Sequence, residues 1–488
     1  MKRRLSRAEL TPAKKRRIEI SSAEEDVDYE ANKANTWEEV DVVFVGDYAK
    51  LSRAKQVAAK KKVIESRKRA KAEALRKQVE QARKQPKLTA NTGDKVFTIA
   101  FIQMGQGDCS VIRTPGDKII MIDCGTTASD DEREAQTYQT NVDDNWSASD
   151  LTEIDIPELQ TIDVSLRVKA VLGTKNKIDF LILTHSDRDH YNQLKGLLGD
   201  SMRFGEVYHS NELTKYKTNE TTAYIRSHAE KADRIFRVIH NDPESNKIKL
   251  QPENGDALEL DQESNRGYLL VNEDNCKIWI LASDVTYDSV LGLENPITDD
   301  GSPTPTNRAS VVTLVEAFGK KILICGDATT VTEQYLLATS KDAFQNLDIL
   351  QVPHHSTRVT SSSQVFINHT NPLNVVVSSA RKDQQHKLPQ QFTLRKYFLK
   401  MKDSNRPLED KDHEIMYWMQ GRSGSPIHCW STLKRPIYIT GSQGSFGWTI
   451  SRTDGTVKME FGLIKGPGDE TKQTTSTEPE KLVSEGSI

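Results

Sequence analysis

The sequence predicts an α/β domain that follows a disordered tail and a basic helix. Three observations carry that expectation. From Val96 onward, short apolar and β-branched runs recur, and helix-like segments separate several of them. Those runs end in Gly, Asp, His or Ser, the kind of residue found where strands deliver their carboxyl ends to a site. Before Val96 the chain is charged and poor in large apolar residues, so it cannot build a core of its own.

Residues 1–46 carry basic clusters and then an acidic one, SSAEEDVDYE, without sustained periodicity, and are expected to be disordered. Residues 47–90 are rich in strong helix formers, lack Gly, and hold their one Pro near the end, at Pro86. Their apolar residues are too few for a heptad seam. Two readings of this basic helix stay open: a solvated spacer, or an arm that meets phosphate backbones or an acidic partner protein. Residues 91–466 form the folded domain, and residues 467–488, polar and low in aliphatics, form a second disordered tail. A hydrophobic content of 36% over 488 residues agrees with a sizeable part of the chain standing outside the core. The formal net charge of -3 conceals an asymmetry, because basic residues concentrate before Leu88.

The opening MKRRLSRAELTPAKKRR has no apolar run behind it and does not read as a secretory signal. No stretch approaches the roughly 20 apolar residues that span a bilayer. The five cysteines (Cys109, Cys124, Cys276, Cys325, Cys429) are scattered, with no CxxC pair, and read as reduced residues of an intracellular protein. A cytoplasmic location is expected, with PAKKRRIE a nuclear address if the source is eukaryotic.

Within the domain, VFTIAFIQMG, KIIMIDCG, KIDFLILTH, CKIWILASD, KKILICGD, LDILQVPHH and NVVVSSA read as strands. NQLKGLLGD and TTVTEQYLLATS read as helices, and 127–160 and 294–306 as loops. Chemistry concentrates in LILTHSDRDHYNQ, from Leu181 to Gln193, where two His and two Asp follow a buried run directly. Burying imidazoles and carboxylates together costs free energy unless something compensates, and a metal ion is the obvious compensator. A helix N-cap at Ser186 or Asp187 accounts for one residue and leaves both imidazoles unexplained. With alternate side chains converging past a strand end, His185 and Asp187 suit one ion, and Asp189 and His190 a second. Zinc and harder divalent cations both accept such N and O donors.

The order His185-x-Asp187-x-Asp189-His190 resembles the HxHxDH signature of the metallo-β-lactamase superfamily, with Asp for the second His. Other segments resemble, in the same order, the ComEC-like branch of that superfamily, the hydrolase domain attached to bacterial DNA-uptake proteins. These are FIQMGQGDCSVIRTPGDKIIMIDCG, NRASVVTLVEAFGKKILICGD, LQVPHHST and VVVSSARKDQQHKLP, and the likeness covers roughly residues 96 to 455. The resemblance implies a metallo-β-lactamase αββα sandwich holding one or two divalent ions, zinc or manganese. It offers Asp327 as a carboxylate bridging the ions and His354 or His355 as the last ligand of the second ion, the His-x-Ser spacing favouring His354. It places Asp123 and Asp108 behind the ligands and brings His386 to the site, where Asp189 and His386 are the expected catalytic groups. One departure stands out. Many members supply a further His to the first ion from a strand that here reads IWILASDVTYD, without His. Either Asp284 substitutes, or that ion is weakly held.

A dinuclear site of this kind suits hydrolysis of phosphodiesters, lactams, lactones or thioesters, and its ligands do not choose among them. Arg188, Arg358, Arg381 and Lys387 near the expected site edge favour a phosphodiesterase or nuclease, since fixed cations stabilise phosphoryl charge. A small-molecule ester or lactone hydrolase and a catalytically inactive regulatory binding protein are the alternatives. Partners are expected to be nucleic acid through the basic segment or a protein through residues 1–88, with no membrane.

Between Lys50 and Lys87 the basic segment holds fifteen Lys or Arg against three Glu. Deleting residues 1–88 is therefore expected to weaken nucleic-acid binding and flatten its salt dependence, because each phosphate neutralised releases counterions. Turnover of a small chromogenic phosphodiester should change little, as the candidate ligands all lie beyond Val96. Filter binding at several salt concentrations checks this; unchanged affinity would make the segment a spacer or protein-docking element.

Overall fold

Period-two alternation puts Phe97, Ile99 and Phe101 on one side of the first strand and Ala100 on the other, and all four are buried. Ile120 and Ile122 face one way and Ile119 and Met121 the other in the same manner, again with both sides covered. Burial of both faces explains why these strands read as continuous apolar runs.

The computed structural model describes residues 96–127 and 161–464, apart from short gaps at 245–246, 254, 262–266, 303, 381–385, 407–412, 421–424, 434 and 454. The two tails, the basic helix of 47–90 and nearly all of the loop 127–160 lie outside the described residues.

Numbered in chain order, the first sheet contains β1 (Phe97–Phe101), β2 (Ser110–Arg113), β3 (Ile119–Ile122), β4 (Lys177–Leu183), β5 (Arg203–His209), β6 (Ile235–Ile239), β7 (Lys247–Pro252) and β8 (Leu258–Asp261). β18 (Phe446–Thr453) and β19 (Thr456–Leu463) complete it, in the order β19-β18-β1-β2-β3-β4-β5-β6-β7-β8. The second sheet holds β9 (Tyr268–Glu273), β10 (Cys276–Ala282), β11 (Val312–Ala317), β12 (Lys320–Ile324), β13 (Ile349–Gln351), β14 (Asn374–Val377) and β17 (Ile437–Ile439). Its order is β17-β14-β13-β12-β11-β10-β9, and β15 (His413–Gln420) and β16 (Pro426–Leu433) form a separate hairpin.

The sheets meet face to face. One apolar core joins Ile99, Ile112, Ile120 and Ile182 of the first sheet to Ile278, Val315, Ile322, Ile349 and Val376 of the second. Behind the first sheet, α1 (Thr161–Leu172), α2 (Leu194–Leu198) and α3 (Thr221–His228) bury Val168, Leu194 and Ile225 against Val111, Met121 and Leu181. Next to the second sheet, α4 (Thr330–Thr339) packs on β10, while α5 (Gln364–Thr370) and α6 (Gln391–Asp403) pack on one another. This is the αββα sandwich implied by the resemblance. Among the described residues no helix is long and apolar enough to cross a membrane.

The function-bearing feature is the direction of the strands. β3, β4, β5 and β6 run parallel, as do β12, β13, β14 and β17. The loops after β3, β4, β12 and β13 carry Asp123, His185 to His190, Asp327 and the His354–His355 pair respectively. Val311 N–H donates to Thr184 O at 2.9 Å, tying the end of β4 to the approach to β11 and holding the two sheets in register at this edge.

Ile99 is fully buried in the core between the sheets. Ile99→Ala is expected to cost about 2–5 kcal/mol of stability by urea unfolding. A loss below about 1 kcal/mol would mean that the inter-sheet core does not hold the domain together.

Candidate metal centre

After Leu183 the chain passes Thr184 and His185 into a tight turn at Arg188–His190. Two other loops clasp the backbone of this turn: Cys124 N–H donates to His190 O at 2.7 Å, and Asp108 N–H to Asp189 O at 3.1 Å. Gly125 is a tight point, since a Cβ there would run into backbone atoms of Asp189, His190 and Tyr191. Gly326, at φ 51°, does the same for the loop of Asp327, where a Cβ would lie 2.7 Å from Cβ of Thr184. The Gly of GQGD, DCG and CGD segments thus marks places where loops must touch.

Side chains then lock the imidazoles. Asp123 accepts from the Thr184 N–H at 2.7 Å and hydroxyl at 2.6 Å, and its Oδ2 lies 2.6 Å from His190 Nδ1. This contact fixes the ring and aims Nε2 the opposite way. His355 Nδ1 rests on Ser378 O at 2.8 Å, with the same consequence. Thr184 Oγ1 is 3.0 Å from His185 Nδ1, and Ser310 Oγ is 3.4 Å from it while accepting from Asp327 N–H at 3.2 Å.

All these rings converge on Asp327. Its Oδ1 lies 3.2 Å from His190 Nε2 and 3.5 Å from His355 Nε2. Its Oδ2 lies 3.8 Å from His185 Nε2 and 3.6 Å from His354 Nε2. Asp187 Oδ2 adds to the His185 side at 3.6 Å, and Asp189 Oδ2 to the His355 side at 3.4 Å. Asp108, His190, Asp327 and His355 each offer a donor atom within 4.8 Å of the other three. Asp327 therefore divides the site into two halves, one oxygen to each.

Whether a metal fits can be judged from hydrogen bonding. His185 Nε2, His190 Nε2, His355 Nε2 and Asp327 Oδ1 are buried and have no hydrogen-bond partner. Buried polar atoms are normally satisfied, so four unsatisfied ones gathered about one carboxylate, all of them metal donors, fit the coordination of a cation. Mixed imidazole and carboxylate donors fit a divalent first-row ion.

The electrostatics agree. Burial pushes the imidazoles of His190 and His355 toward neutrality, but Asp327 and the other carboxylates outweigh it, raising His190 well above its ordinary value and His355 to about 10. Asp327 is held far below the usual carboxylate range by His355, His190 and His354 despite burial. Burial also opposes ionisation of Asp189, yet the His355 and His190 imidazoles beside it bring it down to about 2. Asp108 moves the other way, raised by burial.

Three expectations need correction. Asp108, expected behind the ligands, lies among them, because the GQGD turn sits directly on the Asp189 backbone. The adjacent histidines, of which one alone was expected to be a ligand, both reach the cluster. Both have left-handed backbone, at φ 53° and 50°, and this turn presents both rings to Asp327 instead of sending them to opposite sides. His355, not His354, is the one in the half containing His190. Asp284 does not substitute for the missing His: its oxygens accept from Asn211 N–H at 2.8 Å and Arg237 Nε at 2.6 Å.

The remaining predicted residues lie around the cluster. Arg188 is exposed, its Nη2 donating to Thr127 O at 3.2 Å. Arg358 is exposed, with its guanidinium 4.7 Å from the Phe392 ring centre, and Lys387 Nζ lies 4.6 Å from that of Trp418. His386 is exposed and does not belong to the buried cluster. Arg381 is outside the described residues. Four residues received no role from the sequence: Thr184; Ser310; Asn307, whose Nδ2 is 3.0 Å from His354 Nε2; and Gln351, whose Nε2 donates to Asp108 Oδ1 at 2.7 Å. Asn307 and Ser310 stood in plain view as the polar ends of NRAS, and Thr184 and Gln351 as the last polar residues of LILT and LDILQ.

The sandwich and its His and Asp cluster at the carboxyl edge define a metallohydrolase-type protein. The chain belongs to the metallo-beta-lactamase superfamily, whose sequence profile matches residues 102–365, more than half of it. It is similar to ComE operon protein 3 of Bacillus subtilis (strain 168), 24% identical over 332 residues. That match takes in 67% of this chain and 34% of the relative, so the chain spans about a third of the relative's length. Among solved structures, the short form of human tRNase Z aligns at 15% identity over 58% of this chain and 93% of its own, with a TM-score of 0.29. A protein of Parabacteroides distasonis ATCC 8503 assigned as a metal-dependent hydrolase aligns at 14% identity over 66% and 96%, with a TM-score of 0.31.

Protons and metal compete for the same imidazoles. With His190 and His355 raised above their ordinary value of about 6.5, both are charged in the metal-free protein at neutral pH. Metal uptake should then release about two protons, and affinity should strengthen as pH rises from about 6 to 8. Calorimetry in buffers of different ionisation heat measures this. The same sign gives the metal-free protein a stability contribution complete below about pH 6.5 and lost as pH climbs through the raised values, about 10 for His355.

Proposed function

We propose that this protein is a metal-dependent phosphodiesterase acting on nucleic acid or a nucleotide. The observation behind the metal-dependent part is the convergence of three unsatisfied buried imidazole nitrogens on Asp327, whose own Oδ1 is unsatisfied. His185, Asp187 and His354 on one side and Asp108, Asp189, His190 and His355 on the other would hold the ions, with Asp327 between. What such ions supply when bound is Lewis acidity, which makes water a competent nucleophile near neutral pH and stabilises charge on the oxygens around phosphorus.

The chain's own residues do the rest. Asp123 and Thr184 keep His190 in one tautomer, and Ser378 O does so for His355, so no reorganisation is needed as the reaction proceeds. Asp189, partly open to solvent, orients the attacking water and receives its proton. His386 takes the part of proton donor to the leaving oxygen. Arg188, Arg358 and Lys387 bring positive charge to the surrounding surface, and Arg358 and Lys387 are steadied on aromatic rings. These cations favour a phosphodiester over a neutral ester or lactone. The basic segment before the domain supports a polyanionic substrate in the same way.

The purified protein, supplied with zinc or manganese, should hydrolyse bis-p-nitrophenyl phosphate and at least one of single-stranded DNA, double-stranded DNA or RNA. Asp327→Ala should lower that rate by roughly a thousandfold or more while leaving the circular dichroism spectrum unchanged. Turnover of esters or lactones with no phosphodiester cleavage would replace this reading with a small-molecule hydrolase.

A further inference from the structure

We infer that the two halves of the centre are unequal: one ion is held tightly with Asp108 as a direct ligand, and Asn307 keeps the other half closed. This rests on the reading of the cluster as a metal centre and concerns how this chain apportions its donors.

The half on Oδ1 of Asp327 is complete. Asp108, His190, Asp327 and His355 are all buried and mutually within 4.8 Å, and Asp189 stands beside them. Asp108 is fixed from two directions, by its N–H on Asp189 O and by Gln351 Nε2 on its Oδ1, which leaves its Oδ2 outside that bond, beside the His190 ring at 3.8 Å from Nδ1. Three carboxylates and two imidazoles, all pre-positioned, make a tight cation site, because no ordering cost remains to be met on binding.

The half on Oδ2 is short of donors. His185 Nε2 is unsatisfied, but His354 is engaged at both nitrogens, Nδ1 by Thr360 Oγ1 at 2.7 Å and Nε2 by Asn307 Nδ2 at 3.0 Å. Turning the Asn307 amide over would replace a donor by an acceptor and still occupy Nε2. Asn307 Oδ1 has no hydrogen-bond partner although buried, so the amide is held against His354 with half its capacity unused. Asp187 is 42% exposed where Asp327 is 5%, and Asp284 is taken by Arg237 and Asn211. A second ion must displace Asn307 from His354 and draw Asp187 away from solvent.

The test is a zinc titration of chelator-stripped full-length protein against a chromophoric competitor, with cobalt(II) absorption as an independent view of coordination. Wild type should bind one ion at least about a hundredfold more tightly than the next. Asp108→Asn should weaken the tight ion about tenfold or more and leave the weak one nearly unchanged, and Asn307→Ala should tighten the weak ion by about tenfold and spare the tight one. Thermal melts of the metal-free variants control for folding; if Asn307→Ala fails to fold, Asn307→Ser makes the same comparison. Two equal ions in wild type, or a weak ion that does not respond to loss of Asn307, overturns the inequality. A tight ion indifferent to Asp108→Asn overturns that ligand. Absence of any ion in wild type brings down the metal reading itself, a result distinct from these.

Discussion

A single carboxylate joins the two sheets where the chemistry lies. Asp327 leaves β12 of the second sheet and meets His185 and His190, which leave β4 of the first. Burying that charge without compensation would cost several kcal/mol, so the site constrains the fold as much as the fold positions the site. The sheets must pack with the carboxyl ends of their parallel strands at one edge. The hydrogen bond from Val311 N–H to Thr184 O and the close approach of Gly326 to Thr184 fix that alignment at the residue next to His185.

Support for the centre extends outward in steps, each answering a burial problem made by the one before. His190 needs Asp123, Asp123 needs the two donors of Thr184, and Thr184 is placed by the strand that ends there. On the other side the turn bearing His354 and His355 has left-handed backbone through Ser356, a strained arrangement that must be held from outside. Glu333 of α4 does part of this, accepting from Ser362 N–H at 2.5 Å and Ser363 N–H at 2.8 Å. Burial pushes its carboxyl up to about 7 even with those donors. Thr393 of α6 holds the same loop through Thr357 O at 2.7 Å. The helices beside the second sheet therefore serve the site as well as the core.

Much of this was legible in the residues. His185 to His190 stood out because buried runs seldom end in two imidazoles and two carboxylates, and each apolar run quoted from β1, β3, β4, β10, β12, β13 and β14 is a strand. The described residues of 294–306 also form a loop in the structure. Less legible were strands such as β7 and β19, whose half-buried alternation, as in Lys247–Pro252, gives a weaker signal than a doubly buried run. The place of Asp108, the preference for His354 over His355 and the Asp284 alternative failed for one reason. Spacing along the chain locates a loop but does not give the φ of a turn or the partner a carboxylate finds across the sandwich. Asp284 looked free in sequence, yet Arg237, 47 positions earlier, claims it.

Asn307 shows what such partners do to function. Its motif ties loop to loop: Arg308 is buried on Asp300 and lies over the Tyr287 ring at 4.0 Å, which pins the segment 294–306 beside the site. Anchored in this way, the Asn307 amide cannot drift from His354 without cost, and the same anchoring that builds one half of the centre restrains the other. An ion held by the fuller half would keep the buried carboxylates compensated, while an ion in the sparser half would keep coordination positions open for incoming oxygens.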